Sequence, residues 1–221
     1  MIFFSKRRVF DSNLLPRSIF HEFGTKQSSL IKYDHLITPK QSHSSNVHVV
    51  TKKNMSNASP PDTDGLITSV VGVALSVVTA DCVPILYCDP VAGMIGISHS
   101  GWKGLTKNII GNMITTMEAM GASGQRIVAI VGPAVGPCCY PLYGQRSRLF
   151  QKQFGTQVFD TYQDHRGLNL TKVAYLSLIK QGIAPSNIDH TLFCTSCQKD
   201  MFWSYRRDGT ASDHMVHVIK I

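Results

Sequence analysis

Residues 72–104 of this chain are GVALSVVTADCVPILYCDPVAGMIGISHSGWKG. Within this stretch, residues 72–78, 85–88 and 94–98 form three short runs rich in β-branched residues, and Gly, Pro or Asp bounds each run. Such runs are typical of strands that are buried on at least one face. The stretch therefore predicts adjacent strands followed by a glycine turn at 101–104.

The residues after the glycine turn have the spacing of a helix. Apolar residues recur at helical intervals from Leu105 to Met120, and Gly121 follows as a stop signal. Elsewhere the patterns predict strands at 47–50, 126–131, 188–193 and 216–219, and a second helix at 171–181. Adjacent strands together with helices favour an α+β (mixed α/β) fold over a regular doubly wound sheet. We expect residues 1–221 to form a single domain.

The composition narrows the classes of ligand. Lys and Arg outnumber Asp and Glu by 22 to 14, which gives a net charge of +8 and calls for an anionic partner. The basic residues form clusters only at 6–8 and 206–207, without the aromatic platforms or glycine patterns of a protein that binds single-stranded nucleic acid. A phosphate-bearing small molecule explains the charge equally well, so we expect no nucleic acid partner.

The sequence also indicates a compartment. No window approaches the roughly 18 apolar residues of a membrane span, and the N-terminal residues do not form the apolar core of a signal peptide. We therefore expect a cytoplasmic protein with no membrane partner. In that compartment the six cysteines should stay reduced, as core residues or as metal ligands.

Three side chains near the ends of predicted strands form a candidate metal site. Cys82 and His99 each follow a buried run, and His43 precedes another. One thiolate and two imidazoles would hold zinc at three corners of a tetrahedron and leave the fourth for water or a substrate atom. Each residue also has an ordinary interpretation: Cys82 as a small buried hydrophobe, His99 as a strand cap and His43 as a solvated loop residue. Asp81 favours a strand end that opens into a cleft, because an unpaired acidic side chain is costly to bury.

Two further segments suit a phosphate or a purine with a phosphate. Gly101 and Gly104 let the backbone approach a ligand, the helix start offers unpaired amide groups, and Lys103 adds a positive charge. Aromatic residues lead into Arg206 and Arg207, and a ring with a guanidinium would suit a purine and a phosphate. The alternative for the two arginines is a solvated run of charge.

The remaining cysteine pairs are ambiguous. Cys194-Thr195-Ser196-Cys197 is a C-x-x-C segment, which can be a redox dithiol or half of a zinc site. With no second C-x-x-C and no spaced histidine pair to complete four ligands, two ordinary thiols are favoured. Cys138 and Cys139 are adjacent in a loop rich in Gly and Pro, and adjacent cysteines rarely serve one purpose.

Several of these segments occur together in a known family. The matching stretches are 39–43 (PKQSH), 64–68 (DGLIT), 79–84 (TADCVP), 98–104 (SHSGWKG), 136–140 (GPCCY), Cys194-Thr195 and 204–209 (SYRRDG). In this order they resemble the YfiH family, the polyphenol oxidase or laccase-domain proteins that are now mostly regarded as purine nucleoside phosphorylases. The resemblance extends from about residue 20 to residue 207.

The resemblance implies two mixed β-sheets flanked by helices, with His43, Cys82 and His99 as ligands of zinc, or of copper. It implies phosphorolysis of adenosine, inosine and methylthioadenosine, together with deamination of adenosine, so the partners would be a purine nucleoside and inorganic phosphate. On this basis we assign catalysis to Cys82, His99 and Asp81, and substrate or phosphate binding to Gln41, Lys103 and Arg206.

The chain departs from the family pattern at several positions. Lys103 stands where the family commonly has arginine, which preserves charge but loses a bidentate fork. Ala134 replaces a common cysteine and Pro141 a common acidic residue, and residues 211–213 stand near a usual Gly-Arg pair. These departures bear on substrate range and rate rather than on the metal ligands.

Other functions use the same residues differently. A copper-dependent polyphenol oxidase of the multicopper type needs several His-x-His pairs, and the nine histidines form none. A cysteine amidohydrolase would use Cys82 as nucleophile and His99 as base, without metal. A pure binding module would show no turnover of any nucleoside.

Overall fold

The structure is a computed structural model that describes residues 2–4, 10–28, 32–162 and 164–221. The basic cluster at 6–8 lies outside these residues. In chain order the strands are β1 (Ile2–Phe4), β2 (Phe10–Ser12), β3 (Phe20–Phe23), β4 (His35–Ile37), β5 (Val47–Val50), β6 (Gly65–Thr68), β7 (Val73–Thr79), β8 (Val83–Asp89), β9 (Met94–Ser100), β10 (Val128–Val131), β11 (Phe159–Thr161), β12 (Arg166–Leu168), β13 (Ile188–His190) and β14 (Met215–Lys220).

Two six-stranded sheets organise these strands. The first has the order β1-β2-β3-β14-β7-β4, the second has the order β13-β10-β8-β9-β6-β5, and β11 pairs with β12 in a separate ribbon. Both large sheets are mixed, because β4 runs parallel to β7, β5 to β6 and β10 to β13, whereas the other neighbours are antiparallel. The predicted fold class, with two mixed sheets and flanking helices, is confirmed.

The helices are α1 (Trp102–Thr106), α2 (Ile109–Ala119), α3 (Gly144–Phe154), α4 (Leu170–Lys180) and α5 (Tyr205–Asp208). The sequence predicted one helix across the first two, and this was wrong because Asn108 adopts a left-handed conformation (φ 66°) that breaks the helix before α2. Gly121, at φ 101°, ends that region as expected. None of the helices in the described ranges combines the length and apolarity that a membrane span requires.

Two other predictions need correction. Helix α3 was not predicted, because it is polar on average: its large apolar residues are Leu149, Phe150 and Phe154, and Phe150 is its one buried residue. The strand predicted at 188–193 stops at His190, and Leu192 beyond it is 89% exposed. Because the side chain of Leu192 is exposed, extension of the strand to this residue would bury little further apolar surface.

The second sheet is the middle of three layers. Leu86 and Cys88 of β8 pack towards the first sheet, whereas Ile85 and Tyr87 pack towards α2 and α4. All of β8 is buried because both of its faces are covered, which explains its nearly continuous apolar sequence.

The chain crosses from the first sheet to the second between β7 and β8. The crossing takes only residues 80–82, and Asp81 at its centre has φ 89°, a conformation that residues with a Cβ rarely adopt. This sharp crossing places Asp81 and Cys82 at the edge that the ends of the strands β7, β8 and β9 form.

Candidate metal and nucleoside site

His43, Cys82 and His99 meet at this edge. Their ligand atoms all lie within 4.8 Å of one another, so the three residues could hold a metal ion. Cys82 Sγ lies 3.8 Å from His43 Nε2, and the two imidazole rings are 4.8 Å apart in an edge-on arrangement. The donor set of two nitrogens and one sulfur suits zinc or copper.

A buried carboxylate that sequence analysis missed holds the side chain of His99 and the backbone of His43. Asp64 is fully buried, accepts a hydrogen bond from His99 Nδ1 at 2.7 Å, and leaves His99 Nε2 for a metal. It also accepts from the backbone N–H of His43 at 3.1 Å and of Ser44 at 2.7 Å, which shapes the loop of His43. The feature of the sequence that could have revealed Asp64 is its position as an acidic residue immediately before a buried strand.

The absence of a side chain at Gly101 gives the ligands room. A Cβ at this position would lie 2.8 Å from His43 Cδ2 and 2.9 Å from Cys82 Sγ, closer than real Cβ contacts. Gly101 has an ordinary φ of −71°, so the requirement is steric rather than conformational. The sequence predicted that this backbone approaches a bound anion, which stays a prediction; in the structure Gly101 approaches the side chains of His43 and Cys82.

The three groups perturb one another in the metal-free protein. Burial alone would raise the pKa of Cys82, but the charge of His99 and hydrogen bonds from both histidines lower that pKa to about 7. Burial disfavours charge on His99, yet the Cys82 thiolate and the Asp64 carboxylate raise the pKa of His99 to about 9. Burial also opposes ionisation of Asp64, but hydrogen bonds from His99 and Ser44 hold its pKa well below the usual range.

A cavity of about 760 Å³ opens directly onto these groups. Its wall includes the rings of Trp102, Tyr140 and Tyr205 and the guanidinium groups of Arg146 and Arg206. This volume and mixture of flat rings and cations fit a ligand with an aromatic part and an anionic part. Sequence analysis missed Arg146, because it lies on α3, the unpredicted helix.

Asp81 forms a clamp at the cavity wall. Its two carboxylate oxygens accept hydrogen bonds from the Thr195 hydroxyl and from the Arg206 backbone N–H, both at 2.5 Å. Arg206 in turn donates from Nε to the Cys139 carbonyl at 3.0 Å, and its guanidinium lies 5.9 Å from the ring of Tyr140. The geometry makes Asp81 a residue that positions Arg206.

The other two assigned residues differ in position. Gln41 lines the cavity, but its amide group is held by the backbone of Val78 through two hydrogen bonds of 2.8 Å. Lys103 is exposed, its ammonium lies 5.8 Å from the ring of Trp102, and it does not line the cavity. The geometry gives no support to phosphate binding by Lys103, whereas Arg146 lines the cavity wall.

The chain is similar to several known proteins. The family profile described as multi-copper polyphenol oxidoreductase laccase matches residues 24–221. The human protein named purine nucleoside phosphorylase LACC1 is 34% identical over 180 residues, which cover 77% of this chain and 40% of that protein. The purine nucleoside phosphorylase YlmD of Geobacillus stearothermophilus is 32% identical over 193 residues, which cover 81% of this chain and 70% of that protein.

A third relative carries another activity in its name. The adenosine deaminase RL5, from an unknown prokaryotic organism, is 29% identical over 192 residues, which cover 82% of this chain and 73% of RL5. This chain thus spans less than half of the human relative and about 70% of the two prokaryotic ones.

Solved structures give the same fold. The YlmD crystal structure has a TM-score of 0.88 at 23% identity and covers 99% of this chain and 98% of its own. The crystal structure of the hypothetical protein YfiH from Bacillus licheniformis has a TM-score of 0.83 at 27% identity and covers 92% of this chain and 93% of its own. With the profile match over residues 24–221, the chain belongs to the multi-copper polyphenol oxidoreductase laccase family, which includes the YfiH-like proteins.

Proposed function

We propose that this protein is a zinc-dependent purine nucleoside phosphorylase that acts on adenosine, inosine and methylthioadenosine, and that it also deaminates adenosine. The observation that carries the proposal is the meeting of His43, Cys82 and His99 at a cavity whose wall combines aromatic rings with arginines. The names of the relatives support both activities.

The metal ligands would be His43, Cys82 and His99, with the fourth position open to the cavity. A bound zinc ion would supply a positive charge that stabilises negative charge developing on the substrate. Asp64 holds His99 in one tautomer, with the Nδ1 proton on the carboxylate side, so that Nε2 is available.

The cavity wall would bind the two substrates. Trp102, Tyr140 and Tyr205 offer flat surfaces for a purine, and Arg146 and Arg206 offer charged donors for phosphate. In phosphorolysis a phosphate oxygen bonds to C1′ of the ribose while the bond from C1′ to the purine nitrogen breaks and the base leaves with a proton.

We also propose the partners and the domain organisation that the sequence led us to expect. Purine nucleoside and inorganic phosphate are the proposed partners, residues 1–221 are proposed to act as one domain, and a cytoplasmic location stays a prediction. Asp81 is proposed to act through Arg206, because both of its oxygens are already engaged.

Product analysis tests the proposal. Zinc-loaded protein is incubated with adenosine, with and without phosphate, and the products are separated by chromatography. We expect phosphate-dependent adenine and ribose 1-phosphate, and phosphate-independent inosine, with both activities lost in Cys82→Ala. Cys88→Ala, the same truncation in the core at the other end of β8, is the matched control and should remain active.

Other outcomes favour the alternatives. Full activity in Cys82→Ala would contradict the proposal. Oxygen uptake with a phenol, faster with copper than with zinc, would favour the polyphenol oxidase that the family description names. Amide hydrolysis that survives a chelator but is lost in Cys82→Ala would favour the cysteine amidohydrolase, for which the interaction of Cys82 with His99, its expected base, is suitable.

A further inference from the structure

We propose that Cys138, Cys139, Cys194 and Cys197 bind a second zinc ion through four thiolates, at a structural site separate from His43, Cys82 and His99. Each half of this cluster is unremarkable in the sequence. The fold brings the adjacent pair at 138–139 against the C-x-x-C segment more than 50 residues later.

The sulfur positions fit one tetrahedral ion. The Sγ atoms of Cys138 and Cys139 lie 3.5 Å and 3.4 Å from Cys197 Sγ, and all four sulfurs lie within 4.8 Å of one another. Four sulfurs at about 2.3 Å from a central zinc would be about 3.8 Å apart. The observed spacing therefore spans the value for a four-thiolate site.

Backbone contacts hold the two halves in register. Cys138 and Cys139 lie on a single 3-10 turn, Pro137–Cys139, and Cys194 forms an isolated parallel bridge with Ala134, with the Thr195 N–H donating to the Ala134 carbonyl at 3.0 Å. The Gly136 N–H points at Cys194 Sγ at 3.1 Å, and such a donor stabilises a thiolate. These contacts position the sulfurs and leave each of them able to bind a metal ion.

A set of four sulfurs argues for an ion rather than for a disulfide. All four cysteines are free, and the Sγ atoms of Cys139 and Cys197 are 3.4 Å apart, well beyond the roughly 2.05 Å of a disulfide bond. Zinc uses all four, the four thiol protons leave to solvent on binding, and the closed ligand set keeps no position for substrate. Four ligands with no open position are the mark of a structural site.

The site would stabilise the wall of the cavity. The Cys139 carbonyl accepts the hydrogen bond from Arg206 Nε, the Thr195 hydroxyl binds Asp81, and Tyr140 follows Cys139 directly. An ion that joins residues 138–139 to residues 194–197 would therefore fix the two loops from which these contacts come. The cysteines would act as positioning residues, outside the cavity chemistry.

Metal counting tests the proposal on the full chain. Protein purified under reducing conditions is loaded with zinc, desalted and analysed for metal. We expect two zinc ions per chain in the native protein, one in Cys197→Ser and one in Cys82→Ala. Ser196→Ala, between the two cysteines of the C-x-x-C segment, is the matched control and should retain two.

Cobalt gives a second readout that does not depend on a folded Cys197 variant. Cobalt-loaded native protein and Cys82→Ala should both show the intense sulfur-to-cobalt absorption of a four-thiolate site, and Cys197→Ser should lose it. An equal zinc content in the native protein and in Cys197→Ser, iron in place of zinc at the cluster, or a disulfide between these cysteines in peptide maps of the zinc-loaded protein would each overturn the proposal.

Discussion

The two clusters of side chains that could hold a metal ion differ in how they are built. His43, Cys82 and His99 are three ligands, Asp64 supports one of them, and a large cavity opens onto the group. The cysteines of the other cluster are four ligands from two loops, enough to enclose an ion on every side. The number of ligands and their surroundings therefore distinguish a catalytic site from a structural site, although zinc could serve both.

Gly101→Ala should break the first cluster and leave the second intact. The added Cβ would meet His43 and Cys82 at under 3 Å, so these two side chains must separate. We expect loss of one bound zinc and a fall in activity of about a thousandfold, since the metal supplies several kcal/mol. Metal analysis and product chromatography check this, with Gly124→Ala as control, where an added Cβ would meet the end of the Glu118 side chain at 3.1 Å and would lie far from the site. Unchanged metal content would contradict the steric argument.

Alkylation of metal-free, reduced protein should distinguish the clusters by pH. Neighbouring charge lowers the pKa of Cys82 to about 7, whereas contact with Cys139 and partial burial raise the pKa of Cys197 to about 11. Because the thiolate is the reactive form, and the lower nucleophilicity of the less basic thiolate offsets only part of its larger population, Cys82 should react roughly tenfold faster at pH 8, although Cys197 is the more exposed. Peptide mapping from pH 6 to pH 10 measures both rates. Equal pH profiles would show that the two environments do not differ.

Asp64→Asn should weaken the first cluster without dismantling it. The amide keeps the shape of the carboxylate but loses the charge that orients and polarises His99. We expect zinc affinity at this site to fall by about 10- to 100-fold, with no change at the four cysteines. Competition with a chromogenic chelator measures the affinity. The Asp62→Asn variant, whose side chain lies at the surface of the same loop, is the control and should keep native affinity.

Cys197→Ser should produce the smallest effect on turnover. If the four-cysteine site orients Arg206 through the Cys139 carbonyl, its loss weakens one hydrogen bond to a charged group, worth about 1 kcal/mol or fivefold. The increase should appear in the KM for phosphate, with kcat nearly unchanged. Steady-state kinetics beside Ser196→Ala measures it. A large fall in kcat with constant KM would assign the cluster a role in the chemistry itself.

Local pattern and family resemblance predicted different parts of the first cluster. Cys82 and His99 follow buried runs, and the strands on either side of them were predicted from their own sequence. His43 lies in an irregular loop at φ 59°, and only the resemblance raised it above an ordinary loop histidine. Asp64 carries no local sign that it pairs with His99, because that pairing depends on β6 lying beside β9.

The four-cysteine cluster lay outside what local pattern can show. Its halves meet through one isolated bridge between Ala134 and Cys194, a contact set by the packing of loops rather than by any periodic signal. Arg146 was also missed, because its helix is polar on average and buries a single residue, so too few apolar residues mark the helix in the sequence. Long-range contacts between irregular segments are the part that the sequence left open.

The central position of β14 in the first sheet also orders events during synthesis. β14 pairs with both β3 and β7, so this sheet cannot close until residues 215–220 have left the ribosome. All strands of the second sheet have been synthesised once the chain reaches residue 190. Cys82 and His99 lie at the ends of the strands β8 and β9 of this sheet. A growing chain can therefore assemble its histidine and cysteine ligands before Arg206 and the last strand complete the cavity around them.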